Sequence, residues 1–161
     1  MTEPWLRGPL EGVPAHLLPV FHSFAQVRED LALHTTGLSI EQVWRRAGPL
    51  PALGFQLRHI AGSVDRLVTY LMEQQLSEAQ LADLKQEPAP GASLDELLAT
   101  VDAALRHAES RILTIPPSAL YDSRFIGKRR LPSNVLGLLV HVAEHTQRHL
   151  GQAITTAKLL R

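Results

Sequence analysis

Cysteine is missing from the sequence, and its absence removes three kinds of chemistry at once. A chain without thiols forms no disulfide bond, no thiolate-ligated zinc site and no cysteine nucleophile. Any metal that it binds must be held by imidazole, carboxylate or water. An excess of one charge is missing as well, because 16 Lys and Arg residues balance 16 Asp and Glu residues. This balance argues against a nucleic-acid partner held by bulk charge.

Apolar runs long enough to cross a membrane are also missing. The first residues, MTEPWLRGPLEG, contain no apolar stretch of the kind found in signal peptides. We therefore expect a cytoplasmic protein with neither a membrane nor a nucleic acid as its partner. The 161 residues suffice for one domain with a sizeable core, so we expect a single domain over residues 1–161.

Four long amphipathic segments account for most of the chain. In each of them apolar residues recur at helical spacing between proline, glycine and capping signals. We predict these helices at about residues 13–33, 51–71, 93–112 and 132–160. Short helices are expected after Ser39 and Ser77, each followed three residues later by glutamine. No convincing alternating strand is found, and SRFIGKRRL is interpreted as an irregular excursion. The pattern predicts an all-α protein built as a four-helix bundle.

Histidine is abundant, with eight residues, and HVAEHTQRH places three of them four residues apart. On a helical wheel with Val135 as the reference, His149 lies roughly 40° away and His145 roughly 80° away. His141 lies roughly 120° away, towards the polar flank. The helix therefore points His145 and His149 inwards, where imidazoles one turn apart can hold one metal ion. Spacing alone leaves open two core-edge histidines satisfied by hydrogen bonds or water.

The same stretch spells HVAEH, the H-x-x-E-H pattern of inverted zinc proteases. In those enzymes the glutamate is the base and a later carboxylate completes the set of ligands. No acidic residue follows His145 in TQRHLGQAITTAKLLR, and Glu144 falls on the polar side of the helix. We reject a protease because its third ligand is missing.

A third ligand has to come from another helix. His59 is the best candidate, although it lies roughly a third of a turn from the apolar line of its own helix. Periodicity permits this histidine without selecting it. The remaining histidines are interpreted as ordinary surface or core-edge residues: His16 and His34 lie near an apolar flank, and His22 and His107 fall on polar faces.

Two motifs, HIAGSVDRLVTYL in the second long helix and HVAEHTQRHLGQAIT in the fourth, resemble the DinB superfamily over nearly the whole chain. The resemblance implies an up-down-down-up four-helix bundle with a long crossover, residues 74–93, between helices two and three. It also implies a metal site with one histidine from the second helix and two from the fourth. By position these are His59, His145 and His149. His141 stands where the family requires no ligand, so it is expected beside the site or facing solvent.

The function implied by the resemblance is that of a metal-dependent enzyme. Three neutral imidazoles leave coordination positions open, and a divalent ion lowers the pKa of a bound water or thiol. Some members of the superfamily are thiol S-transferases that use a low-molecular-weight thiol such as bacillithiol or mycothiol, and others are hydrolases or isomerases. We expect zinc, with nickel, iron or copper as alternatives, and a small-molecule substrate. No separate catalytic base is assigned.

Two alternatives stay open. The protein can instead be a non-catalytic metal-binding or stress-linked helical interaction module, and a homodimer through the outer helix faces is compatible with the sequence.

The basic stretch RFIGKRR, residues 124–130, suits an anionic thiol or a phosphate, although such runs are more often solvated loops. About 25 Å of helix separates it from the histidines, which weakens that role.

Overall fold

A computed structural model describes residues 2–161. These residues are mostly helical, with six α-helices and one small antiparallel sheet, which confirms the predicted helical class. The helices are α1 (Leu18–Thr35), α2 (Ile40–Trp44), α3 (Leu53–Leu71), α4 (Glu78–Gln86), α5 (Leu94–Ile112) and α6 (Val135–Leu159). The strands are β1 (Ser123–Ile126) and β2 (Leu131–Asn134). None of the described helices is long and apolar enough to span a bilayer.

Local sequence determines where three of the helices begin. Ser39, Ser77 and Ser93 each accept a hydrogen bond from the backbone N–H three residues later. The glutamine or glutamate at that later position accepts in return from the backbone N–H of the serine. Each box satisfies two N–H groups that have no partner inside the helix. The predicted capping boxes are confirmed.

The segment SRFIGKRRL is ordered as a β-hairpin, so the prediction of an irregular excursion was wrong. Ser123 pairs with Asn134 and Ile126 pairs with Leu131. Gly127 adopts a φ of 67° in the turn, a conformation that glycine reaches without strain. Strands of four residues are too short for alternation to show in the sequence, which is why the pattern was missed.

Two of the long helices begin three or more residues later than predicted. Asn134 caps α6, since its side-chain oxygen accepts a hydrogen bond from the N–H of Gly137 at 2.7 Å. Pro132 and Ser133, which were expected to open this helix, belong to β2. In α1 the N–H of Leu17 bonds the carbonyl oxygen of Pro14 in a turn, and regular helix starts at Leu18.

The four long helices share one apolar core. α1 contacts α6, α6 contacts α3, α3 contacts α5, and α5 contacts α1, while α4 lies against α3. Their inward faces supply fully buried residues such as Phe24, Leu57, Leu105 and Val135. Removing this apolar surface from water is the main force that holds the helices together. The seam between α3 and α6 is the part of the fold that positions the site.

Gly54 is expected to be intolerant of alanine because it touches the ring of Trp44. An added Cβ would lie 2.8 Å from three ring atoms, and the ring is anchored by a hydrogen bond from its Nε1 to the carbonyl oxygen of Ala92 at 2.8 Å. Gly54→Ala is expected to lower the free energy of unfolding by about 1–3 kcal/mol. Urea unfolding followed by circular dichroism measures this change.

The matched control is Gly151→Ala in α6. None of the described atoms lies within 4 Å of a Cβ added there, beyond the helix itself and its chain neighbours. The main effect of Gly151→Ala is then the better helix propensity of alanine, which should raise the free energy of unfolding by about 0.5–1 kcal/mol. A stabilised Gly54→Ala protein would show that Trp44 is free to move away.

Candidate metal centre

Three histidines from two helices meet at the seam between α3 and α6. His59 projects from α3, and His145 and His149 project from α6 one turn apart. One ring nitrogen of each lies within 4.8 Å of one ring nitrogen of the other two. The Nε2 atoms of His59 and His145 are 3.2 Å apart, and the ring centroids of His59 and His149 are 4.3 Å apart. The fold thus brings together the three histidines that the family resemblance implies as metal ligands.

Hydrogen bonds to Nδ1 set the tautomers of two of these rings. Glu87 Oε2 lies 2.7 Å from His59 Nδ1, and Gln56 Oε1 lies 2.8 Å from His149 Nδ1. A carboxylate oxygen and an amide oxygen both accept, so each Nδ1 carries the proton and donates it. The lone pair is then left on Nε2 of both rings. A ring held in this way is ready to ligate a metal through Nε2, and the donor set fits a metal ion.

His145 differs from the other two histidines. Its Nδ1 is buried and has no hydrogen-bond partner within residues 2–161. Burial, followed by the nearby His59, lowers the pKa of His145. The same causes lower the pKa of His149 to about 4. Both rings are therefore neutral at pH 7, and protons do not compete for the lone pairs that a metal would use.

Glu87 is held by a second partner, the guanidinium group of Arg66. Arg66 Nη2 lies 2.8 Å from Glu87 Oε1, and the two side chains are 11% and 5% exposed. Burial by itself raises the pKa of Glu87, but the hydrogen bond from His59 and the ion pair with Arg66 outweigh burial and lower it below the usual value. A carboxylate that stays ionised orients the His59 ring and makes it a more basic ligand.

Two further rings border the cluster. Phe55 stacks on His59, with ring centroids 5.6 Å apart and an interplanar angle of 15°. His141 lies one turn before His145, with centroids 5.3 Å apart, and its side chain is 45% exposed. Its Nδ1 is 2.7 Å from Glu144 Oε1. Glu144 is exposed and is also paired with Arg148, so it is not aimed at the cluster as a protease base would be.

The other four histidines lie outside the cluster. His16 Nε2 is 3.1 Å from the carbonyl oxygen of Ile115, and His107 is exposed on α5. The prediction of a polar face for His22 was wrong, because its side chain is buried and the residue is only 8% exposed. α1 packs against both α5 and α6, which gives it a wider buried face than a single apolar stripe suggests.

Gln56 and Glu87 were not predicted to belong to the site. Gln56 could have been found from the sequence, because a glutamine within an apolar helix face requires a hydrogen-bond partner once it is buried. It is 1% exposed and lies three residues before His59. Glu87 carried no such signal, since it follows α4 and reaches His59 only through the path of the connection to α5.

Two other features lie away from the histidines. Arg124 donates from Nε to the carbonyl oxygen of Leu71 at the last residue of α3, about 18 Å along the helix from His59. The basic hairpin is therefore far from the cluster, as its sequence position predicted. A cavity of about 770 Å³ lies beyond Glu87, between α3, α4 and α5, and no histidine of the cluster lines it.

The fold and the cluster define a mostly helical protein with a candidate three-histidine metal centre. The sequence profile of the DinB superfamily matches residues 23–153, and the chain belongs to this superfamily. The match includes all three clustered histidines and confirms the resemblance. No curated protein matches the sequence. The fold is similar to the crystal structure of a conserved protein from Enterococcus faecalis, with a TM-score of 0.75, 15% identity, and coverage of 92% of this chain and 98% of that one.

Proposed function

We propose that His59, His145 and His149 bind a divalent metal ion, zinc in the first place, and that the protein is a metal-dependent enzyme acting on a small molecule. A thiol S-transferase or a hydrolase is the reaction class that we assign. Membership of the DinB superfamily and the clustered histidines support this assignment. The observation that carries it is the pair of Nδ1 hydrogen bonds from His59 to Glu87 and from His149 to Gln56, which leave Nε2 free on both rings.

A divalent ion with three imidazole ligands keeps positions open to solvent or substrate and lowers the pKa of a bound water or thiol towards neutrality. The chain supplies the positioning. Glu87 holds His59 from the side of α4, and Gln56 holds His149 from within α3. Phe55 covers one face of the His59 ring and restricts its rotation. These contacts keep the rings close to a binding geometry before any ion arrives.

We also propose the up-down-down-up bundle for α1, α3, α5 and α6, with α4 inside the long crossover. Between α3 and α6 the supporting contacts are Gln56–His149 and His59–His145. Between α1 and α6 they are Ser23–Ala143 and, just beyond the end of α6, His34–Arg161. In the first set, higher residue numbers on one helix pair with lower numbers on the other, as in antiparallel helices. In the second set both numbers rise together, as in parallel helices.

Metal binding is tested on the protein purified without a histidine tag and stripped with a chelator. After equilibrium dialysis against zinc, and separately against nickel, we expect about one ion per chain by elemental analysis. His149→Ala is expected to weaken binding about 100-fold, because losing a ligand is at least as harmful as losing the groups that orient one. The matched control is His107→Ala, an exposed histidine on α5, which should bind as the unmodified protein does.

The outcomes separate the two parts of the proposal. If neither the unmodified protein nor the control binds zinc or nickel, the metal centre is refuted. If zinc binds and is lost in His149→Ala, the loaded protein is screened with low-molecular-weight thiols plus an electrophile, and with activated esters. Metal binding without thiol transfer or hydrolysis in these screens would favour the non-catalytic metal-binding module.

Glu87→Gln is expected to weaken metal binding about 10–100-fold, as is typical when a group that orients a ligand loses its charge. Glutamine keeps the size of the side chain and can still accept from His59 Nδ1, but it no longer makes the ring more basic. Competition with a chromophoric zinc chelator measures the change. Glu29→Gln is the control, because Glu29 pairs with Arg7 on the surface and lies in no contact with the cluster. Equal affinities of the two variants would show that Glu87 has no influence on His59.

A further inference from the structure

A second feature of the seam is a cavity of about 440 Å³ between the residues before α3 and the second half of α6. None of the three clustered histidines lines it, but Gln56, the hydrogen-bond partner of His149, does. Leu50 and Pro51 give it an apolar wall. Gln56, Arg148, Gln152 and Thr155 give it polar groups. None of the described residues that line it is acidic. The cavity therefore offers hydrogen-bond donors and one positive charge, a combination that suits an anionic group.

Gln56 joins this cavity to the metal centre. The side chain is 1% exposed, and its Oε1 accepts from His149 Nδ1 at 2.8 Å. The other end of the amide, Nε2, is buried and has no hydrogen-bond partner within residues 2–161. A buried donor without an acceptor is unfavourable, and native proteins rarely keep one without a reason. An acceptor atom of a ligand in the cavity would satisfy it.

The structure places Oε1 of this amide against His149 Nδ1, and metal ligation by His149 requires the same orientation. If the amide were turned around, Nε2 would face His149 Nδ1, and that nitrogen would have to accept. The ring proton would then sit on His149 Nε2, where it would block metal binding. A ring that ligates through Nε2 therefore keeps the oxygen of Gln56 towards itself, which leaves the NH₂ group of this cavity-lining residue without a partner.

Arg148 supplies the positive charge. Its Nη2 pairs with Glu144 Oε2 at 2.5 Å, which leaves its other N–H groups available, and the side chain is 56% exposed. Arg148 directly precedes His149 on α6 and lines the cavity. Guanidinium groups bind carboxylates with two parallel hydrogen bonds.

We propose that this cavity binds the carboxylate group of a small-molecule substrate whose reacting part lies at the metal centre. One carboxylate oxygen accepts from Gln56 Nε2, the group pairs with Arg148, and a short aliphatic portion lies against Leu50 and Pro51. The inference rests on the proposed function and adds the substrate class, a small aliphatic carboxylic acid. Gln56 then orients a metal ligand with one end and a substrate with the other.

The test is a titration of the full chain with sodium butanoate, followed by ¹H–¹⁵N NMR of the side-chain amides. Butanamide, which is neutral and of nearly the same shape, is titrated in parallel. Both are added to the metal-free and to the zinc-loaded protein, because a carboxylate can also bind directly to zinc. We expect the Gln56 and Gln152 amide signals to shift in both forms, with butanoate binding about tenfold more tightly than butanamide.

Variants sharpen the result without touching a proposed metal ligand. Arg148→Gln is expected to weaken butanoate binding about tenfold and to leave butanamide unchanged. The matched control is Arg129→Gln, an exposed arginine in the hairpin turn, which should have no effect. Circular dichroism confirms that each variant is folded.

Three outcomes overturn the proposal: equal affinities for butanoate and butanamide, an unchanged Gln56 signal, or unweakened butanoate binding in Arg148→Gln. Inorganic phosphate is the competing anion, and phosphate that binds more tightly than butanoate at the same Gln56 signal would overturn the assignment to a carboxylate. The metal content of the same samples is measured independently. A protein that binds zinc but does not bind butanoate as proposed is therefore distinguishable from a protein that binds no zinc.

Discussion

Replacing Phe24 by alanine is expected to lower the free energy of unfolding by about 3–5 kcal/mol. Phe24 lies on α1, is fully buried at 0% exposure, and belongs to the apolar core shared by the long helices. The substitution removes the transfer free energy of the aromatic ring and leaves a cavity that the surrounding helices can close only in part. α1 contacts both α5 and α6, so the loss weakens its docking on two sides.

Urea unfolding followed by circular dichroism measures this loss, with a chelator present because a bound metal would stabilise the folded state by mass action. The matched control is Leu33→Ala on the same helix, where the leucine is 66% exposed. That change should stay within about 0.5 kcal/mol. A loss of less than about 1 kcal/mol in Phe24→Ala would mean that the core around α1 is loosely packed.

Replacing Arg66 by methionine is expected to lower the free energy of unfolding by about 3–5 kcal/mol. The substitution keeps most of the apolar stem but removes the guanidinium that pairs with the buried carboxylate of Glu87. Glu87 is 4% exposed and would be left with His59 as its remaining charged or polar partner. A buried charge that has lost its partner is among the most destabilising single changes known in proteins.

Two controls isolate the buried charge as the cause. Arg7→Met breaks the Arg7–Glu29 pair, whose side chains are 38% and 37% exposed, and should change stability by less than about 1 kcal/mol. The double variant Arg66→Met/Glu87→Gln removes both charges and should recover a large part of the loss. If the double variant is no more stable than Arg66→Met, the unpaired carboxylate is not the cause of the loss.

The helices were predictable from the sequence to within a few residues, and the hairpin was not. Apolar periodicity and the boxes that begin at Ser39, Ser77 and Ser93 act over three or four residues, and the structure shows these caps as expected. The hairpin at residues 123–134 consists of two four-residue strands, too short for a period of two to stand out. Cross-strand pairing stabilises it, and a linear pattern does not contain that information.

The candidate site, too, was predictable from the sequence only in part. His145 and His149 share one face of α6 because they are four residues apart, a fact that the sequence contains completely. Periodicity left His59 undecided, and its selection required the motif resemblance. The burial of His22, the contact of Glu87 with His59 and the contact of Gln56 with His149 were not foreseen. Each of these depends on which helix lies opposite and on how it is rotated.

The sequence by itself determined the pairing of His145 with His149 on one helix face, the helical class and the helix caps. These follow from residue types and from regularities that span less than two helical turns, where the backbone has few alternatives. Membership of the DinB superfamily also lies in the sequence, but in a pattern spread over residues 23–153. Only the tertiary structure decided that α3 turns His59 towards α6, that Glu87, directly after α4, contacts His59, and that Gln56, whose Nε2 is unpaired, lines a cavity. These depend on the packing of whole helices, because side-chain shape across the entire interface sets the rotation of each helix about its axis.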